Sequence, residues 1–384
     1  MGAGAVHFAG SRALKITAVE AVPLGIPWQP TDPPSPWTAR LGKQVLVRVT
    51  TDEGLVGWGE AFALGAPAAV CAVVRDALAP LLLDEPASDL ERLVDRLHRG
   101  TLLFGRRGLG MFAISGVELA LWDLAGQAQG VPVYELLGGL AQPRIRAYAS
   151  LARFDRPADV ARAAAAAAAQ GFRGVKLHQT DLASVAAARE AVGPAVALML
   201  DVNCPWTPAE AIRMGQALAP YDLAWLEEPV WPPEDYQGLA RVAAALDTPI
   251  AAGENEATAI GFGEMLRAGA VDILQPSPTK VGGLGEAKTI AALAAARNVA
   301  VVPHSFYFGP GLAAALHLAA STPGMAWVEW PMGELATPLL ETPIRPEAGW
   351  LTPPAAPGLG GRPNAAALRG HPLAAAPSAA FTTE

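Results

Sequence analysis

Cysteine, histidine and long apolar runs are all scarce in this chain of 384 residues. The two cysteines, Cys71 and Cys204, cannot form a disulfide framework, so a reducing cytoplasm is the expected compartment. None of the six histidines forms a His-x-His pair, which argues against a barrel metallohydrolase because such sites need several histidine ligands. No apolar run reaches the roughly 18 residues of a membrane span, and residues 1–11 lack the features of a secretory signal.

Positive charge is also low. The chain has 28 Lys and Arg against 36 Asp and Glu, and its net charge of −8 argues against nucleic acids and anionic membranes as partners. Five residues are lysine, so a lysine at the end of a strand stands out as a candidate for chemistry. Hydrophobic residues make up 52% of the chain, and its length predicts two domains or one large barrel with additions.

The first part of the chain has the pattern of an antiparallel sheet followed by helices. Residues 16–26 and 44–50 have strand-like composition, and 51–54 form the turn before a third such run. The segment 27–41 is rich in Pro, Trp and Thr without periodicity, and we interpret it as a lid that brings Trp28 to a substrate. Helices are predicted over 66–82, 89–99 and 113–129, the last beginning near Ser115.

From residue 144 the pattern becomes a repeat. Eight strand-like runs alternate with helical segments at a period of about 25 residues, which predicts a parallel β/α barrel with its active site at the carboxyl ends of the strands. The runs end near Ser150, His178, Asn203, Glu228, Asn255, Ser277, Ser305 and Trp330. Beyond Pro331 the chain is rich in Pro and Gly, and we expect it to return to the N-terminal domain or to trail as a tail.

Three carboxylates stand at the ends of three successive strand-like runs. Asp201, Glu227 and Glu254 are separated by roughly one strand-helix unit of a barrel. Because the ends of parallel strands meet at one mouth, these acids offer three hard oxygen ligands of the kind that Mg²⁺ prefers. A substrate carboxylate bound to such a metal is stabilised as its α-carbon loses a proton.

Candidate acid and base groups stand at other strand ends. Lys176 and His178 are separated by one residue and therefore share the inward face of the second strand. His304 ends the seventh strand, on the far side of the ring, so it and Lys176 are predicted to face opposite sides of one bound carbon. Lys280 lies just past the sixth strand. The other polar residues at strand ends, which are candidates for substrate binding, are Asn203, Ser277 and Glu329.

Together these motifs resemble those of the enolase superfamily, and most closely its mandelate racemase-like branch. The resemblance covers nearly the whole chain. In the barrel it rests on Lys176-Leu-His178, Asp201-Val-Asn203, Glu227-Glu-Pro229, Gly253-Glu-Asn255, 275–283, Pro303-His304 and Glu329. In the cap it rests on 51–54, on Gly57-Trp-Gly-Glu60 and on 118–123.

The resemblance implies an α/β fold, namely a (β/α)7β TIM-like barrel with an α+β capping domain. We expect residues 1–140 to form the cap, 141–340 the barrel, and 341–384 a segment that returns to the cap. The resemblance further implies Mg²⁺, abstraction of a proton α to a carboxylate, and a symmetric homo-oligomer.

Two positions depart from the family pattern. The branch usually has an aspartate in the sixth strand, paired with the histidine of the seventh, and here that position is Ser277. A serine hydroxyl can orient an imidazole but supplies no charge, so we expect His304 to be a weaker base, suited to protonating a leaving oxygen. The second lysine of the strand-two motif, usually the base, is His178 here, so the base is open between Lys176 and His178. Lys280 aligns with a lysine that other branches use as a base.

The sequence therefore predicts a Mg²⁺-dependent lyase or isomerase acting on a small carboxylate. An acid-sugar dehydratase or a sugar-lactone cycloisomerase, both working by β-elimination, is the first hypothesis. A racemase or epimerase of a 2-hydroxy or amino carboxylate is the nearest alternative, because two groups across one carbon are also what a 1,1-proton transfer needs. A cycloisomerase that uses Lys176 and Lys280, and a catalytically inactive binding protein on the same fold, are the further alternatives.

Overall fold

An antiparallel sheet of three strands opens the fold. The computed structural model describes residues 14–29, 33–35 and 42–373. In spatial order the strands are β1 (Ile16–Gly25), β2 (Lys43–Thr51) and β3 (Val56–Ala61). The predicted lid, 27–41, lies partly outside the described residues, at 30–32 and 36–41.

The helices of the cap pack on one face of this sheet. They are α1 (Pro67–Ala72), a π-helical turn (Val73–Leu78), α2 (Ala79–Leu82), α3 (Leu90–Gly100), α4 (Leu109–Gln129) and α5 (Val133–Leu136). The helix predicted over 113–129 begins earlier, after Gly108. Ser115 does not cap it: its hydroxyl donates to the Met111 carbonyl one turn back (2.8 Å), so the residue lies inside the helix.

α4 is the central helix of the cap and is apolar over its whole length. Among the helices of the described ranges, it is the one long and apolar enough to cross a membrane by length and composition, and 89% of its most apolar window is buried inside the fold. A helix that is apolar all round is typical of a buried core helix. Its composition is therefore explained by packing and is weak evidence for a membrane span.

Two glycines allow β3 to lie directly against α4. A Cβ atom on Gly59 would come within 2.0 Å of the Gly116 carbonyl oxygen and 2.7 Å of the Ala120 nitrogen. A Cβ atom on Gly57 would lie 2.2 Å from the Ala120 oxygen. The contacts are with backbone, which cannot turn away as a side chain can.

We therefore expect Gly59→Ala to lower the free energy of unfolding by about 1–3 kcal/mol, the usual range for overpacking. Urea unfolding followed by circular dichroism measures this change. Gly370→Ala is the matched control, since a Cβ there meets nothing within 4 Å and should change stability by less than about 0.5 kcal/mol. Equal effects of the two substitutions would contradict the close approach of β3 and α4.

Eight parallel strands form the barrel wall and confirm the predicted fold class. In chain order they are β4 (Ile145–Ser150), β5 (Gly174–Leu177), β6 (Ala197–Asp201), β7 (Leu223–Glu227), β8 (Ile250–Ala252), β9 (Ile273–Leu274), β10 (Ala300–Val301) and β11 (Trp327–Pro331). The ladder runs from β11 through β4 and then in chain order to β10. Across the remaining seam, Ser305 donates from its hydroxyl to the Glu329 carbonyl (2.7 Å) and from its backbone N–H to the Glu329 carboxylate (3.0 Å).

The barrel helices lie between these strands and form an outer layer. They are α6 (Pro157–Ala169), α7 (Leu182–Val192), α8 (Pro208–Leu218), α9 (Tyr236–Ala245), α10 (Thr258–Ala268), α11 (Leu284–Ala295) and α12 (Pro310–Ala320). Their starts follow local signals, for example the reciprocal capping box of Thr207 and Glu210 before α8. A small cluster that includes Tyr148, Met199 and Trp225 fills the interior of the barrel.

The chain after the barrel contacts both parts of the fold. β12 (Trp350–Leu351) pairs antiparallel with the start of β4, and α13 (Ala365–Gly370) follows it. The His371 carbonyl then accepts a hydrogen bond from Gly25 of β1 (2.9 Å), and Leu373 donates to Pro23 (3.0 Å). Residues 374–384 of the predicted returning segment lie outside the described part of the chain.

Candidate active site at the barrel mouth

Three carboxylates meet at the carboxyl ends of β6, β7 and β8. Asp201 and Glu227 are the last residues of β6 and β7 and are partners in the parallel ladder. Glu254 follows β8 by two residues. One oxygen from each side chain lies within 4.8 Å of the others, and Asp201 and Glu227 are fully buried. The ladder thus brings together the three acids that the sequence spacing assigned to one mouth, and three carboxylate oxygens so arranged could hold a divalent cation.

Neighbouring donors fix the orientation of two of these carboxylates. Asn203 donates from its backbone and its side-chain amide to one oxygen of Asp201, both at 2.9 Å. The Trp225 indole and the Gln275 amide donate to one oxygen of Glu227, at 2.9 and 2.7 Å. Outer groups that hold ligand oxygens in place are a common feature of metal sites.

Lys176 lies among the carboxylates and is almost completely buried. Its ammonium is 2.8 Å from Glu227, 2.9 Å from Glu329 and 3.4 Å from Asp201. Burial alone would lower the pKa of Lys176, but the neighbouring Glu227 and Glu329 carboxylates outweigh burial and raise that pKa well above its ordinary value. Lys176 therefore stays protonated and supplies one positive charge to the cluster.

The three carboxylates differ in how readily they ionise. Burial alone would raise the pKa of Asp201, but Lys176 and a neighbouring imidazole lower it to about 2. Burial opposes ionisation of Glu254 as well, yet the nearby Lys280 ammonium and an imidazole hold its pKa well below the ordinary value. Burial raises the pKa of Glu227 well above its usual range, and Lys176 offsets only part of this effect. The cluster therefore has a deficit of positive charge, which a divalent cation would remove.

His178 faces the same cluster from β5, as strand alternation predicts. Its Nδ1 lies 2.6 Å from the Leu151 carbonyl, which can only accept, so Nδ1 carries the hydrogen. Its Nε2 points at Asp201, at 3.3 Å, and the side chain is 18% exposed. Nε2 is therefore the ring nitrogen that can take or give a proton.

His304 and Lys280 both lie beside Glu254. Nε2 of His304 lies 3.0 Å from Glu254 and 3.9 Å from Glu329, and the Lys280 ammonium lies 4.0 Å from Glu254. Nδ1 of His304 is buried and has no hydrogen-bond partner among the described residues. No sequence pattern indicated that His304 would meet the carboxylate of Glu254, because the two residues follow different strands.

The resemblance led us to expect that the Ser277 hydroxyl could orient His304, but this hydroxyl contacts other residues. Its hydroxyl lies 2.8 Å from the Tyr307 hydroxyl and 3.2 Å from that of Thr279, and the residue is completely buried. The serine hydroxyl therefore belongs to a network with Tyr307 and Thr279, and among the described residues its hydrogen bonds do not include one to the imidazole. The Tyr307 ring instead packs edge-on against the His304 ring, with centroids 5.9 Å apart.

A cavity of about 640 Å³ lies over this cluster. The residues of the predicted site that line it are His178, Asn203, Glu254, Lys280, His304 and Glu329. The remaining residues of the predicted site are not among those that line it: Lys176, Asp201, Glu227, Ser277 and Trp28. Trp28 stacks on Phe306, which lines the cavity, with ring centroids 6.1 Å apart.

Several cavity residues were missed by reasoning from strand ends. Arg153 follows β4, and its guanidinium donates to the His178 carbonyl (2.7 Å) and to the Asn203 side chain (3.4 Å). The position of an arginine just past the first strand is a signal that could have found it. Gln44, Glu60 and Phe62 reach the cavity from the cap, and no strand-end pattern marks them.

Comparison with known proteins agrees with this architecture. Residues 30–138 match the family profile described as the mandelate racemase/muconate lactonizing enzyme N-terminal domain, and residues 159–367 match the profile described as enolase C-terminal domain-like. The D-galactarolactone cycloisomerase of Agrobacterium fabrum is 38% identical over 335 residues, 82% of this chain and 88% of the relative.

Two further proteins extend the comparison. The arabinonate dehydratase of Saccharolobus solfataricus is 34% identical over 82% of this chain and 87% of its own length. The crystal structure of the 3,6-anhydro-D-galactonate cycloisomerase from Zobellia galactanivorans superposes with a TM-score of 0.84 at 33% identity, covering 94% of this chain and all of that one. The chain therefore belongs to the mandelate racemase/muconate lactonizing enzyme family of the enolase superfamily.

Proposed function

We propose that this protein is a Mg²⁺-dependent lyase or isomerase that removes the α-proton of a sugar acid or its lactone and expels the oxygen at the β-carbon. The observation that carries the proposal is the arrangement of the cavity. Asp201, Glu227 and Glu254 form one cluster, and the cavity is lined both by His178, which lies beside Asp201, and by His304, which lies beside Glu254. The family relatives named as dehydratase and cycloisomerase support elimination over racemisation.

The donor set fits Mg²⁺. Three carboxylates with oxygens within 4.8 Å of one another supply hard ligands, and the raised pKa of Glu227 marks a deficit of positive charge. Asp201, Glu227 and Glu254 would hold the ion, and Asn203 would orient Asp201. When bound, Mg²⁺ would stabilise the negative charge that develops on the substrate carboxylate as the α-proton leaves.

We assign proton abstraction to His178 in preference to Lys176. His178 lines the cavity, and the Leu151 carbonyl fixes its tautomer so that Nε2 faces inward. Lys176 is 1% exposed and is held by three carboxylates. Its role is to balance charge and polarise the substrate carboxylate, which a permanently protonated amine can do.

His304 would protonate the departing oxygen. It lines the cavity with Nε2 beside Glu254, whereas His178 lies beside Asp201. Lys280 also lies beside Glu254, where its charge would favour an oxygen that becomes negative. Glu329 would contact the substrate or hold His304, since it lines the cavity and approaches both His304 and Lys176.

A racemase or epimerase is the second candidate, because two proton-transfer groups that line one cavity also suit a 1,1-proton transfer. In that reaction His304 would act on the α-carbon itself, and no oxygen would leave. The homo-oligomeric state and the cytoplasmic location remain predictions from the sequence.

Incubation with Mg²⁺ and a panel of aldonates, aldarates and their lactones tests the proposal. We expect at least one acid to give a 2-keto-3-deoxy product, with turnover lost on addition of EDTA and restored by Mg²⁺. If Mg²⁺ raises the melting temperature but no acid in the panel is consumed, the inactive binding protein becomes the better account.

A further inference from the structure

Two carboxylates of the cap have the same structural task but differ in one respect. Glu118 of α4 and Glu60 of β3 are each about 1% exposed, and each accepts backbone hydrogen bonds at the start of a barrel helix. Burial is the largest influence on both and raises the pKa of each to about 7, although the backbone donors oppose it. Each residue thus ties the cap to the amino end of one barrel helix, where negative charge is favoured.

Both carboxylate oxygens of Glu118 have hydrogen-bond donors. One of its oxygens accepts from Leu284 (2.8 Å), and the other accepts from Gly285 (2.8 Å) and from the Trp122 indole (2.8 Å). Its side chain does not line the cavity described above. Docking of the cap on α11 therefore accounts for the whole side chain.

In Glu60, one of the two carboxylate oxygens has a hydrogen-bond partner and the other has none within the described residues. Oε2 accepts from Gly311 at the start of α12 (2.8 Å), whereas Oε1 is buried and has no hydrogen-bond partner in the described part of the chain. Unlike Glu118, Glu60 lines the cavity, together with Gln44, Phe62 and Tyr307. A buried carboxylate oxygen without a donor is costly, and Glu60 is a residue of the cavity lining, so a ligand bound in the cavity is the source of the donor that Oε1 lacks.

Few chemical groups of a ligand could be the hydrogen-bond donor to Glu60 Oε1. An ionised carboxylate has no hydrogen to donate to Oε1, and an alkyl group would likewise leave Oε1 without a partner. A hydroxyl group can donate to Oε1 and is what a sugar acid carries along its chain. In the proposed function the substrate carboxylate binds at the Mg²⁺ site that Asp201, Glu227 and Glu254 would form. The hydroxyl that reaches Glu60 is therefore on a carbon beyond the reacting pair.

We infer that Glu60 is a specificity-determining residue that accepts a hydrogen bond from a substrate hydroxyl, and that the enzyme therefore selects polyhydroxylated acids over counterparts deoxygenated at that carbon. The inference rests on the proposed function, since it names the substrate class of the same cavity. Glu60 is remote in sequence from the reacting groups and comes from the cap, so its contribution is to substrate selection.

The test compares a sugar acid with its deoxy counterparts, one for each carbon beyond the reacting pair. In the wild type, one deoxy counterpart should lose about 10–100-fold in kcat/KM, as expected when a buried acceptor is left without its donor. Glu60→Gln keeps an acceptor for Gly311 but presents an amide at the Oε1 position. It should reduce the preference for the hydroxyl by about tenfold, mainly through KM, with little change for the deoxy acid.

Glu118→Gln is the matched control, because it alters the same kind of contact with a helix terminus away from the cavity. It should leave the preference for the hydroxyl unchanged even if it lowers the melting temperature. The inference alone is overturned if sugar acids are turned over but Glu60→Gln keeps the wild-type preference. It is also overturned if the wild type accepts every deoxy counterpart as well as the parent. Binding of sugar acids in the presence of Mg²⁺ is measured by tryptophan fluorescence. If no sugar acid is either turned over or bound, both the proposed function and this inference are overturned.

Discussion

The Glu227→Gln variant will lose Mg²⁺-dependent turnover by about a thousandfold or more while its metal-free fold stays at least as stable as that of the wild type. The loss follows because the ion contributes several kcal/mol of charge stabilisation and each 1.36 kcal/mol is a tenfold change in rate. The fold is spared because burial already raises the pKa of Glu227 well above its usual range, so that a neutral amide replaces a group that resists ionisation. Steady-state kinetics and thermal unfolding in EDTA measure the two effects.

The adjacent Glu228→Gln variant is the matched control. Glu228 is equally a buried acid at the end of β7, but its carboxylate accepts from Gly253 (3.0 Å) and Cys204 (3.0 Å) and it lies outside the cluster of three. We expect it to lose no more than about 10–100-fold, as for groups around a metal site. A greater loss in Glu228→Gln than in Glu227→Gln would show that the metal ligands have been misassigned.

The second large effect concerns His304. His304→Asn should lower the rate of elimination by about 10²–10⁴-fold, the usual contribution of a positioned acid or base. At saturating Mg²⁺, which offsets the loss of the contact between His304 and Glu254, exchange of the substrate α-proton with deuterated water should persist, because His178 and the three carboxylates are retained. Nuclear magnetic resonance measures both rates in one sample. The split is expected because the proposed mechanism assigns the leaving oxygen to His304 and the α-proton to His178.

A matched histidine variant separates this effect from a general loss of stability. His98 lies on α3 of the cap and does not line the cavity, and both of its ring nitrogens lack hydrogen-bond partners among the described residues. His98→Asn should leave elimination and exchange at wild-type rates. If His304→Asn slows exchange and elimination by the same factor even at saturating Mg²⁺, which removes any effect on metal binding through Glu254, His304 acts on the α-carbon and the racemase arrangement gains support.

The parts of the candidate site that follow from backbone geometry could be predicted from the sequence. Asp201, Glu227 and Glu254 recur at the spacing of a barrel unit, and parallel pairing of β6 with β7 brings the first two side by side. Lys176 and His178 share a face because side chains alternate along a strand. These predictions needed only the periodicity of the chain and the rule that barrel strands end at one mouth.

The contacts that depend on side-chain direction could not be predicted from the sequence. The sequence suggested that Ser277 would stand beside His304, whereas the hydroxyl turns to Tyr307 and the imidazole meets Glu254 instead. Both outcomes are decided by packing among residues from different strands, which no local pattern encodes. Glu60 was visible only as part of a cap motif, and its unpaired oxygen emerges only once β3 is docked on α12.

The measurement that tests the account most directly follows the wild-type enzyme with Mg²⁺ and sugar acids in deuterated water by nuclear magnetic resonance. Loss of the α-proton with departure of the β-oxygen gives an enol, and its conversion to the ketone takes one hydrogen from solvent. We therefore predict a 2-keto-3-deoxy acid with a single deuterium at C3. Deuterium at C2 of a recovered or epimerised acid, with no keto product from any member of the panel, would contradict the account.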